Sequence, residues 1–395
     1  MRMTQLKTIA DIQTGPFGSQ LHKEDYVETG TPIVTVEHLG NRVFTEQNLP
    51  RVSDSDKARL IKYTLSTGDI VFSRVGSVDR CSYVDKSHDG WMFSGRCLRV
   101  RPTELVDSLY LYYYFCLEET KQFVRNIAVG ATMPSINTKL LGEVEIALPD
   151  LNNQKRIAAV LSSLDDKIEN NQKLNDNLEQ QAQSYFQELF VDNADPEWTT
   201  GTISDLGTVV GGSTPSKAKP EYYTESGIAW ITPKDLSNNK SKFVSHGEND
   251  ITELGLRNSS ASIMPEGTVL FSSRAPIGYI AIAAGEVTTN QGFKSVVPKP
   301  EIGTPFVYFF LKNTLPVIEG MASGSTFKEV SGSTMKNVPA VIPDAETLAK
   351  FSDFCAPIFA QQRILEEQNQ SLATLRDNLL PKLMSGEIDV SAVQL

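Results

Sequence analysis

One stretch of the sequence indicates the fold: residues 154–190, QKRIAAVLSSLDDKIENNQKLNDNLEQQAQSYFQELF. Apolar and small side chains recur in this stretch at alternating spacings of four and three residues, which is a heptad seam sustained over more than four heptads. A helix of this length would extend roughly 55 Å, longer than either neighbouring domain is wide. The stretch therefore predicts a helix that packs on another helix. Its apolar seam positions are Ile157, Leu161, Leu164, Ile168 and Leu178, and Asn171 and Asn175 are polar seam positions that would fix the register.

A second seam with the same rhythm lies near the end of the chain. Pro357 is expected to begin this second helix or to kink it, because proline cannot donate to the preceding turn. The alternative is that both segments are ordinary amphipathic helices, each packed on its own domain. The apolar seam positions are Ile358, Leu365, Leu372, Leu375 and Leu379, and Gln361 and Gln368 are polar seam positions.

The remaining sequence contains an internal repeat. Gly30-Thr-Pro-Ile-Val-Thr35 aligns with Gly227-Ile-Ala-Trp-Ile-Thr232, which lies 197 residues later. A period this long indicates two copies of a whole domain rather than a solenoid. Further matches in the same order join Gly68–Ser73 to Gly267–Ser272, Gly130–Thr132 to Gly324–Thr326, and Pro149-Asp150 to Pro343-Asp344.

These patterns predict an α+β fold. We expect two duplicated mixed α/β domains, residues 1–150 (lobe 1) and 196–344 (lobe 2), separated by two long antiparallel helices at 151–195 and 345–395. The helices would form a coiled coil with pseudo-twofold symmetry, since domain, helix, domain and helix close symmetrically only if the helices are antiparallel. The aromatic runs Leu109–Leu117 and Phe306–Leu311 are expected to be buried helices, the alternative being exposed platforms for stacking bases.

The distribution of charge leaves room for nucleic-acid binding. The net charge is −11, but lobes 1 and 2 carry only −2 each, whereas residues 151–195 and 345–395 carry −4 and −3. Each lobe is therefore close to neutral and could present a basic face. The acidic helices are better suited to contact protein.

The chain shows no motif for catalysis. It has no phosphate-binding G-x-x-x-x-G-K-[ST] loop, no Asn-Pro-Pro-aromatic motif, no Glu-x-Lys after either Pro-Asp pair, and no metal-ligand spacing among its histidines. Its four scattered cysteines indicate reduced thiols, and no secretory signal or membrane span is predicted. We therefore expect a cytoplasmic binding protein without a catalytic residue or a metal site.

Two segments resemble one known family. The run Leu148-Pro-Asp-Leu-Asn-Asn-Gln-Lys-Arg-Ile157 and its continuation to Ile168 resemble the junction of recognition domain and helix in the specificity subunits of type I restriction–modification enzymes. The ending Leu375-Arg-Asp-Asn-Leu-Leu-Pro-Lys-Leu-Met-Ser-Gly-Glu-Ile388 resembles the end of the second helix in that family. Two glycine-containing pieces, 15–19 and 211–216, resemble the starts of its two recognition domains.

The resemblance implies a function and a set of partners. Each lobe would recognise one half of a bipartite site in double-stranded DNA, and the helices would set the gap and dock two methyltransferase subunits. S-adenosylmethionine, ATP and Mg²⁺ would be bound by the methyltransferase and restriction (motor) subunits and not by this chain. The alternatives are a coiled-coil scaffold with two ligand-binding domains and no DNA role, and an enzyme of unknown type.

Basic residues of the lobes are the candidate DNA contacts, because arginine pairs with guanine in a bidentate manner and both cations bind phosphate. Solvated surface charge is the alternative for each residue alone. Thr35 and Thr232, at matching positions of the repeat, are weaker candidates for DNA contact, and we expect them to be strand residues instead. Four apolar residues lie off the seam and are candidate docking points for the methyltransferase subunits: Val160, Leu174, Phe186 and Phe190. For the two phenylalanines, packing beneath a lobe is the alternative. The candidate DNA contacts are Arg74, Arg80, Arg96, Arg99 and Lys139 in lobe 1 and Lys217, Lys219, Lys234, Arg274 and Lys294 in lobe 2.

Overall fold

A computed structural model describes residues 2–18, 20–324 and 328–393. Ser19 and Thr326, which belong to the motifs quoted above, lie outside the described residues. The chain divides into two compact units, Met1–Glu169 with Gln370–Leu395 (unit 1) and Asn170–Asn369 (unit 2). Each unit thus holds one lobe and a part of both long helices. In the described part of the chain, no helix has the length and apolar character needed to cross a membrane.

Lobe 1 is built from short strands and helices. Its helices are α1 Asp54–Arg59, α2 Ser108–Cys116, α3 Glu118–Ile127 and α4 Thr138–Gly142. Its strands are β1 Arg2–Gln5, β2 Ala10–Thr14, β3 Tyr26–Val27, β4 Thr31–Val34, β5 Arg51–Val52, β6 Ile70–Ser73, β7 Cys81–Tyr83, β8 Met92–Phe93, β9 Cys97–Pro102 and β10 Glu145–Leu148. The helix α5, Leu151–Gln187, follows it and ends in a π-helical turn, Glu188–Asp192.

Lobe 2 repeats this plan. Its helices are α6 Ile203–Leu206, α7 Pro233–Asn238, α8 Glu253–Arg257, α9 Thr304–Met321 and α10 Gly332–Lys336. Its strands are β11 Thr199–Thr202, β12 Gly207–Gly211, β13 Tyr223–Thr224, β14 Trp230–Ile231, β15 Phe243–Val244, β16 Asp250–Ile251, β17 Val269–Ser273, β18 Ile277–Ala283, β19 Thr288–Thr289, β20 Lys294–Pro298 and β21 Pro339–Ile342. The helix α11, Ala345–Ser385, follows.

The main strand pairings recur in both lobes, so the structure agrees with the duplication found in the sequence. The order β2-β9-β6-β7 in lobe 1 corresponds to β12-β20-β17-β18 in lobe 2, where β15 adds a fifth strand. The first and last strands of each lobe pair antiparallel, β1 with β10 and β11 with β21. A short parallel pair also recurs, β4 with β8 and β14 with β19.

The aromatic runs are buried helices, as the sequence predicts. In α2 the side chains from Tyr110 to Phe115 are all buried, and in α9 those from Phe306 to Phe309 are. Phe72 of the central strand β6 packs edge to face on Phe115, with ring centroids 4.7 Å apart. These rings form the core of each lobe and are not available to stack on bases.

The repeated Pro-Asp pairs begin the long helices. The carboxylate of Asp150 accepts a hydrogen bond from the Asn153 amide at 3.0 Å, and that of Asp344 accepts one from the Thr347 amide at 2.9 Å. Each aspartate is thus a helix N-cap, which satisfies a backbone donor that has no partner inside the helix. Pro357 does not begin the second helix, contrary to one of the two expectations: the cap at Asp344 starts that helix, and Pro357 lies exposed within it.

In unit 1 the two long helices pack against each other as well as on lobe 1. Ile157 and Leu161 of α5 share a buried cluster with Leu380 and Leu383 of α11. Further along, the Asp165 carboxylate accepts hydrogen bonds from the Tyr113 hydroxyl and from the Arg376 guanidinium, both at 2.6 Å. The numbering of the two helices increases in opposite directions along these contacts, so they are antiparallel.

In unit 2 the helices are also antiparallel. Asn171, which is 2% exposed, donates to Asn369 at 2.9 Å, and Gln362 donates to the Asn175 carbonyl at 3.2 Å. Tyr185 lies beside Phe354, with ring centroids 4.5 Å apart. Asn171 therefore bonds through its side chain to α11, as expected of a group that fixes register, whereas Asn175 contributes only its backbone carbonyl to these contacts.

Part of the predicted second seam is displaced. Leu375 is 47% exposed, and the buried glutamine is Gln362 rather than Gln361. The reason is that polar and charged residues occupy facing positions: Arg376 reaches Asp165, and Gln362 reaches Asn175. Ile157, Leu161, Ile358 and Leu365 are buried, and Leu164, Ile168, Leu178, Leu372 and Leu379 are partly buried.

One loop in each lobe attaches that lobe to the helices of its own unit through a cation. The Arg42 guanidinium donates to the Asp166 carboxylate at 2.5 Å and to the Ser162 carbonyl at 3.4 Å. In lobe 2 the ammonium of Lys242 contacts Glu179 at 2.7 Å and Gln362 at 2.9 Å. Arg42 and Lys242 occupy equivalent positions in the two lobes. The Arg42 carbonyl accepts from the Tyr83 amide on β7, and the Lys242 carbonyl accepts from the Ile282 amide on the corresponding strand β18.

Candidate nucleic-acid interface

Two loops pack backbone to backbone at one end of the main sheet in each lobe. Gly15, after β2, donates its amide to Cys97 at 3.2 Å, and Gly212, after β12, donates to Phe293 at 3.4 Å. A Cβ atom on Gly15 would lie 2.1 Å from the Ser94 carbonyl oxygen, and one on Gly212 would lie 1.9 Å from that of Asn290. The close approach requires glycine at both positions. It fixes the loop after the first sheet strand against the loop that precedes β9 or β20.

Thr35 and Thr232 border the same region, but they are helix caps and not strand residues. Each follows a strand of the short parallel pair and begins a single helical turn. The Thr232 hydroxyl donates to Asp235 at 2.6 Å, and the Thr35 amide donates to the His38 ring at 3.0 Å. The expectation of strand residues is therefore wrong, because the side-chain caps stop each strand one residue earlier.

In lobe 2 these loops enclose a cleft of about 470 Å³. Polar side chains dominate its walls, and Trp230, whose indole nitrogen donates to the Ser213 carbonyl at 2.9 Å, is the large aromatic residue at its base. The cleft is lined by Thr214, Lys217, Trp230, Thr232, Pro233, Lys234, Asp235, Glu248, Asn249, Arg274, Ala275, Asn290, Gln291 and Gly292.

The structure brings together most of the cations predicted for lobe 2. Lys217, Lys234 and Arg274 line the cleft, although they are far apart in the sequence. Lys294 lies next to Arg274, and both approach Glu329, at 3.8 and 3.6 Å. Lys219 lies apart from the cleft residues, over the ring of Tyr222 with its ammonium 5.2 Å from the centroid.

Neighbouring charges perturb two of these lysines. The exposed Lys234 pairs with Glu248 at 2.5 Å, and this hydrogen bond raises the pKa of the lysine. Burial lowers the pKa of Lys294; the nearby Glu329 opposes that effect and Arg274 adds to it. Arg274 and Lys294 are therefore two cations that share one acidic partner.

Lobe 1 places three of its candidates at the equivalent end of its sheet. The amide of Arg74 donates to the carbonyl of Arg96 at 2.8 Å, and the carbonyl of Arg80 accepts from Ser73 at 2.9 Å. The Arg74 guanidinium donates to the Gly95 carbonyl at 3.0 Å and lies 5.4 Å from the ring centroid of Phe17. Arg80 and Arg96 are exposed.

The other two lobe 1 candidates have different surroundings. Arg99 is 5% exposed on β9, where it donates to Asp11 at 2.7 Å and to the Lys62 carbonyl at 3.3 Å. Lys139 is exposed on α4, near Glu143, and Glu143 forms an ion pair with Lys7. Neither lies in the group formed by Arg74, Arg80 and Arg96.

Sequence reasoning missed several residues of these loops. Phe17 is 53% exposed beside Arg74, and Asn290 and Gln291 lie in the lobe 2 cleft. Phe17 and Thr214 occupy equivalent positions, two residues after Gly15 and Gly212. Uncharged loop residues carry no periodicity, so the glycines of the repeat were the available signal. Strand pairing also aligns the two lobes at this point, because Ser73 pairs with Cys97 as Ser272 pairs with Phe293. Ser73 therefore corresponds to Ser272. Two residues further on, Val75 corresponds to Arg274, so Arg74 and Arg274 are not equivalent.

The four off-seam apolar residues divide into two pairs. Phe186 is 2% exposed and Phe190 packs on the same lobe 2 cluster, so both belong to the core. Leu174 is 45% exposed, and Val160 is partly buried against the lobe 1 cluster.

Comparison with known proteins identifies one family. The family model for the type I restriction modification DNA specificity domain matches residues 1–180 and again 196–375. The type I restriction enzyme MjaIX specificity subunit of Methanocaldococcus jannaschii is 39% identical over 191 residues, which are 46% of this chain and 44% of that protein. The HindI specificity subunit of Haemophilus influenzae is 24% identical over 406 residues, covering 83% of this chain and 88% of that protein.

A solved structure shows the same fold. The crystal structure of the type I restriction–modification system S subunit from M. genitalium aligns with a TM-score of 0.61 at 18% identity, covering 97% of this chain and 95% of that one. The family model accounts for most of the sequence in two successive matches, one for each lobe with its following helix. The chain therefore belongs to the type I restriction–modification DNA specificity family and carries two copies of its specificity domain.

Proposed function

We propose that this protein is the non-catalytic specificity subunit of a type I restriction–modification complex. Each lobe recognises one half of a bipartite target in double-stranded DNA. The two long helices set the gap between the halves and dock two methyltransferase subunits, with which restriction subunits assemble. Family membership disfavours the alternative of a coiled-coil scaffold with no DNA role.

One observation carries this proposal: the same fixed pair of loops occurs in both lobes, and each pair carries its own cations. Gly15 and Gly212 allow the two loops of each lobe to pack closely. The cations on or next to these loops are Arg74 and Arg96 in lobe 1 and Lys217 and Arg274 in lobe 2. Rigid loops that hold cations suit recognition of a duplex, because phosphate contacts position a protein and base contacts specify the sequence. Two such sites in one chain suit a target in two parts.

The chemistry is assigned to partner subunits. The chain lacks the sequence motifs for binding ATP or S-adenosylmethionine, and its relatives are named specificity subunits. We therefore assign S-adenosylmethionine to the methyltransferase subunits and ATP with Mg²⁺ to the restriction subunits. The acidic helices, with an exposed Leu174 at the surface of α5, suit contact with protein rather than with DNA.

Exchange of one lobe tests the proposal. Residues 196–344 would be replaced by the corresponding lobe of a relative with a different target, and the complex with its methyltransferase subunits would be assayed by mapping methylated adenines. We expect one half-site to change while the other half-site and the gap are kept. A change in both half-sites, or methyl transfer by the isolated chain, would contradict the proposal.

Charge removal provides a second test at the level of residues. The double variant Lys217→Ala/Lys234→Ala should weaken binding to every duplex and reduce its salt dependence, because each phosphate contact releases a counterion. Arg257→Ala is the matched control, since Arg257 is an exposed arginine of lobe 2 on α8, outside the cleft. An equal effect of the control and the double variant would argue against a DNA contact at the cleft.

A further inference from the structure

The lobe 2 cleft contains side-chain N–H donors that its own carboxylates do not use. We infer that this cleft selects a guanine on its major-groove edge, with Arg274 and Asn290 as the residues that discriminate the base. The inference deepens the proposed function and rests on it, because it names the base class that one lobe recognises.

The two carboxylates of the cleft are already engaged. Asp235 accepts from the amide and the hydroxyl of Thr232 at 2.7 and 2.6 Å, and its other oxygen accepts from the Glu248 amide at 2.8 Å. Glu248 itself pairs with Lys234. The two carboxylates that line the cleft therefore serve its own walls and helix cap.

The side-chain N–H donors of Asn290 and Arg274, in contrast, are not used by these carboxylates. The Asn290 side-chain oxygen accepts from the Gly292 amide at 2.8 Å, and since only the oxygen can accept from an N–H group, this bond fixes the orientation of the amide. Its NH₂ group has no partner among the described residues. Arg274 has five N–H donors, and the ion pair that it forms among the described residues, with Glu329, spans 3.6 Å.

Both residues are held in place by backbone contacts, as a discriminating group must be. The amide of Asn290 donates to Ile231 at 3.0 Å and its carbonyl accepts from Phe293 at 3.2 Å, while Gly212 packs on that carbonyl. Arg274 forms an antiparallel bridge with Glu329 directly after strand β17. The central sheet and its adjoining loops thus set the backbone positions of both residues, and the hydrogen bond to Gly292 also sets the side chain of Asn290.

Guanine matches this arrangement. In the major groove guanine presents two adjacent acceptors, N7 and O6, whereas adenine and cytosine each place an amino donor there. When bound DNA covers Arg274 and Asn290, an amino group opposite them would leave their donors unpaired and away from water, which disfavours those bases. The exposed Lys217 is placed to contact phosphate, a contact that is independent of sequence.

The experiment uses the complex of the full chain with its methyltransferase subunits. The half-site of lobe 2 is first assigned by the lobe exchange, and each guanine in it is then replaced singly by 7-deazaguanine, which lacks the N7 acceptor. We expect one replacement to reduce methylation by about ten- to a hundredfold for the natural protein. The same replacement should have little further effect in Arg274→Lys, which keeps the charge but not the bidentate geometry.

The variant Asn290→Asp should change which base is preferred rather than simply reduce methylation. The aspartate would keep one oxygen for the Gly292 amide and present an acceptor in place of the NH₂ donor, so cytosine or adenine should gain at the contacted position. The matched control Arg257→Lys should leave the base preference unchanged.

Three outcomes would overturn the inference. The first is that no 7-deazaguanine replacement in the half-site of lobe 2 reduces methylation. The second is an equal loss of methylation by Arg274→Lys on all duplexes, which would indicate a phosphate contact, and the third is an unchanged base preference in Asn290→Asp. In each of these cases the lobe exchange would still move one half-site. If the exchange moved both half-sites, the proposed function itself would fail.

Discussion

Lys242 and Glu179 form an enclosed ion pair in which the lysine ammonium lies 2.7 Å from the glutamate carboxylate. Lys242 is 7% exposed, and its ammonium lies 3.5 Å from the ring centroid of Phe359. Glu179 also accepts from the Tyr308 hydroxyl and from Lys312, and Glu366 accepts from the amides of Lys242 and Phe243. The pair therefore joins lobe 2 to both long helices within unit 2.

Removing one partner of this pair should destabilise unit 2. Lys242→Met keeps most of the side-chain volume but leaves Glu179 and Gln362 without their shared donor, so we expect the free energy of unfolding to fall by about 2–4 kcal/mol. Chemical denaturation would measure it. Lys350→Met, an exposed lysine of α11, is the control and should change stability by less than about 0.5 kcal/mol. Equal stability of Lys242→Met and the natural protein would contradict the prediction.

The same lysine should make stability depend on pH in the alkaline range. Burial lowers the pKa of Lys242 to about 8 from 10.5, against the opposing effect of Glu179. Between these values the unfolded chain holds more protons than the folded one, so the unfolding free energy contributed by this group rises with pH, by about 3 kcal/mol in all. Below the folded pKa the contribution is constant.

Comparison with Lys242→Met isolates this effect from other titrating groups. The difference in unfolding free energy between the natural protein and the variant should grow from pH 8 to 10.5. A difference that stays flat or shrinks over this range would show that folding does not lower the pKa of Lys242.

Asp165 should be equally important in unit 1. Because Asp165→Ala leaves the buried Tyr113 hydroxyl without its acceptor and the Arg376 guanidinium with Asp377 as its remaining acidic partner, we expect a loss of about 3 kcal/mol. In a double-mutant cycle with Arg376→Ala, the combined loss should be smaller than the sum of the single losses by about 1 kcal/mol or more. Asp176→Ala, at an exposed site of the same helix, is the control. Strict additivity would mean that Asp165 and Arg376 do not interact.

The loop glycines give a test of lobe 1 by itself. A Cβ on Gly15 would lie 2.1 Å from the Ser94 carbonyl oxygen, whereas one on Gly18 would meet no atom within 4 Å. Gly15→Ala should therefore displace the loop that carries Phe17 and reduce methylation at targets by about tenfold or more through the half-site of lobe 1. Gly18→Ala should be close to neutral. Similar activity of the two variants in complex with methyltransferase subunits would show that the loop contact is not needed.

The fold was predictable from the sequence wherever a pattern repeats. The heptad spacing around Leu161 and the match of Gly68–Ser73 to Gly267–Ser272 predict the long helices and the duplicated domains. Where a polar side chain bonds across the helices, the pattern misled: Leu375 is exposed and Arg376 points inward to Asp165. Hydrophobic periodicity does not register a charged residue that is buried because its partner lies on the other helix.

The candidate site was less predictable than the fold. Lys217, Lys234 and Arg274 were chosen from the sequence because of their charge alone, and that choice could not separate the cleft from Lys219, which lies apart. The roles of Asn290 and Phe17 depend on backbone contacts between loops that are distant in sequence.

Local spacing in the sequence is sufficient to predict the duplication and the two long helices. The tertiary structure is needed to show which cations share a cleft, which amide presents its donor, and that Lys242 is enclosed among Phe359, Glu179 and Gln362. Those properties arise when residues far apart in the chain are brought together, and the energy of a charge or a donor depends on its neighbours and its burial rather than on its position in the sequence.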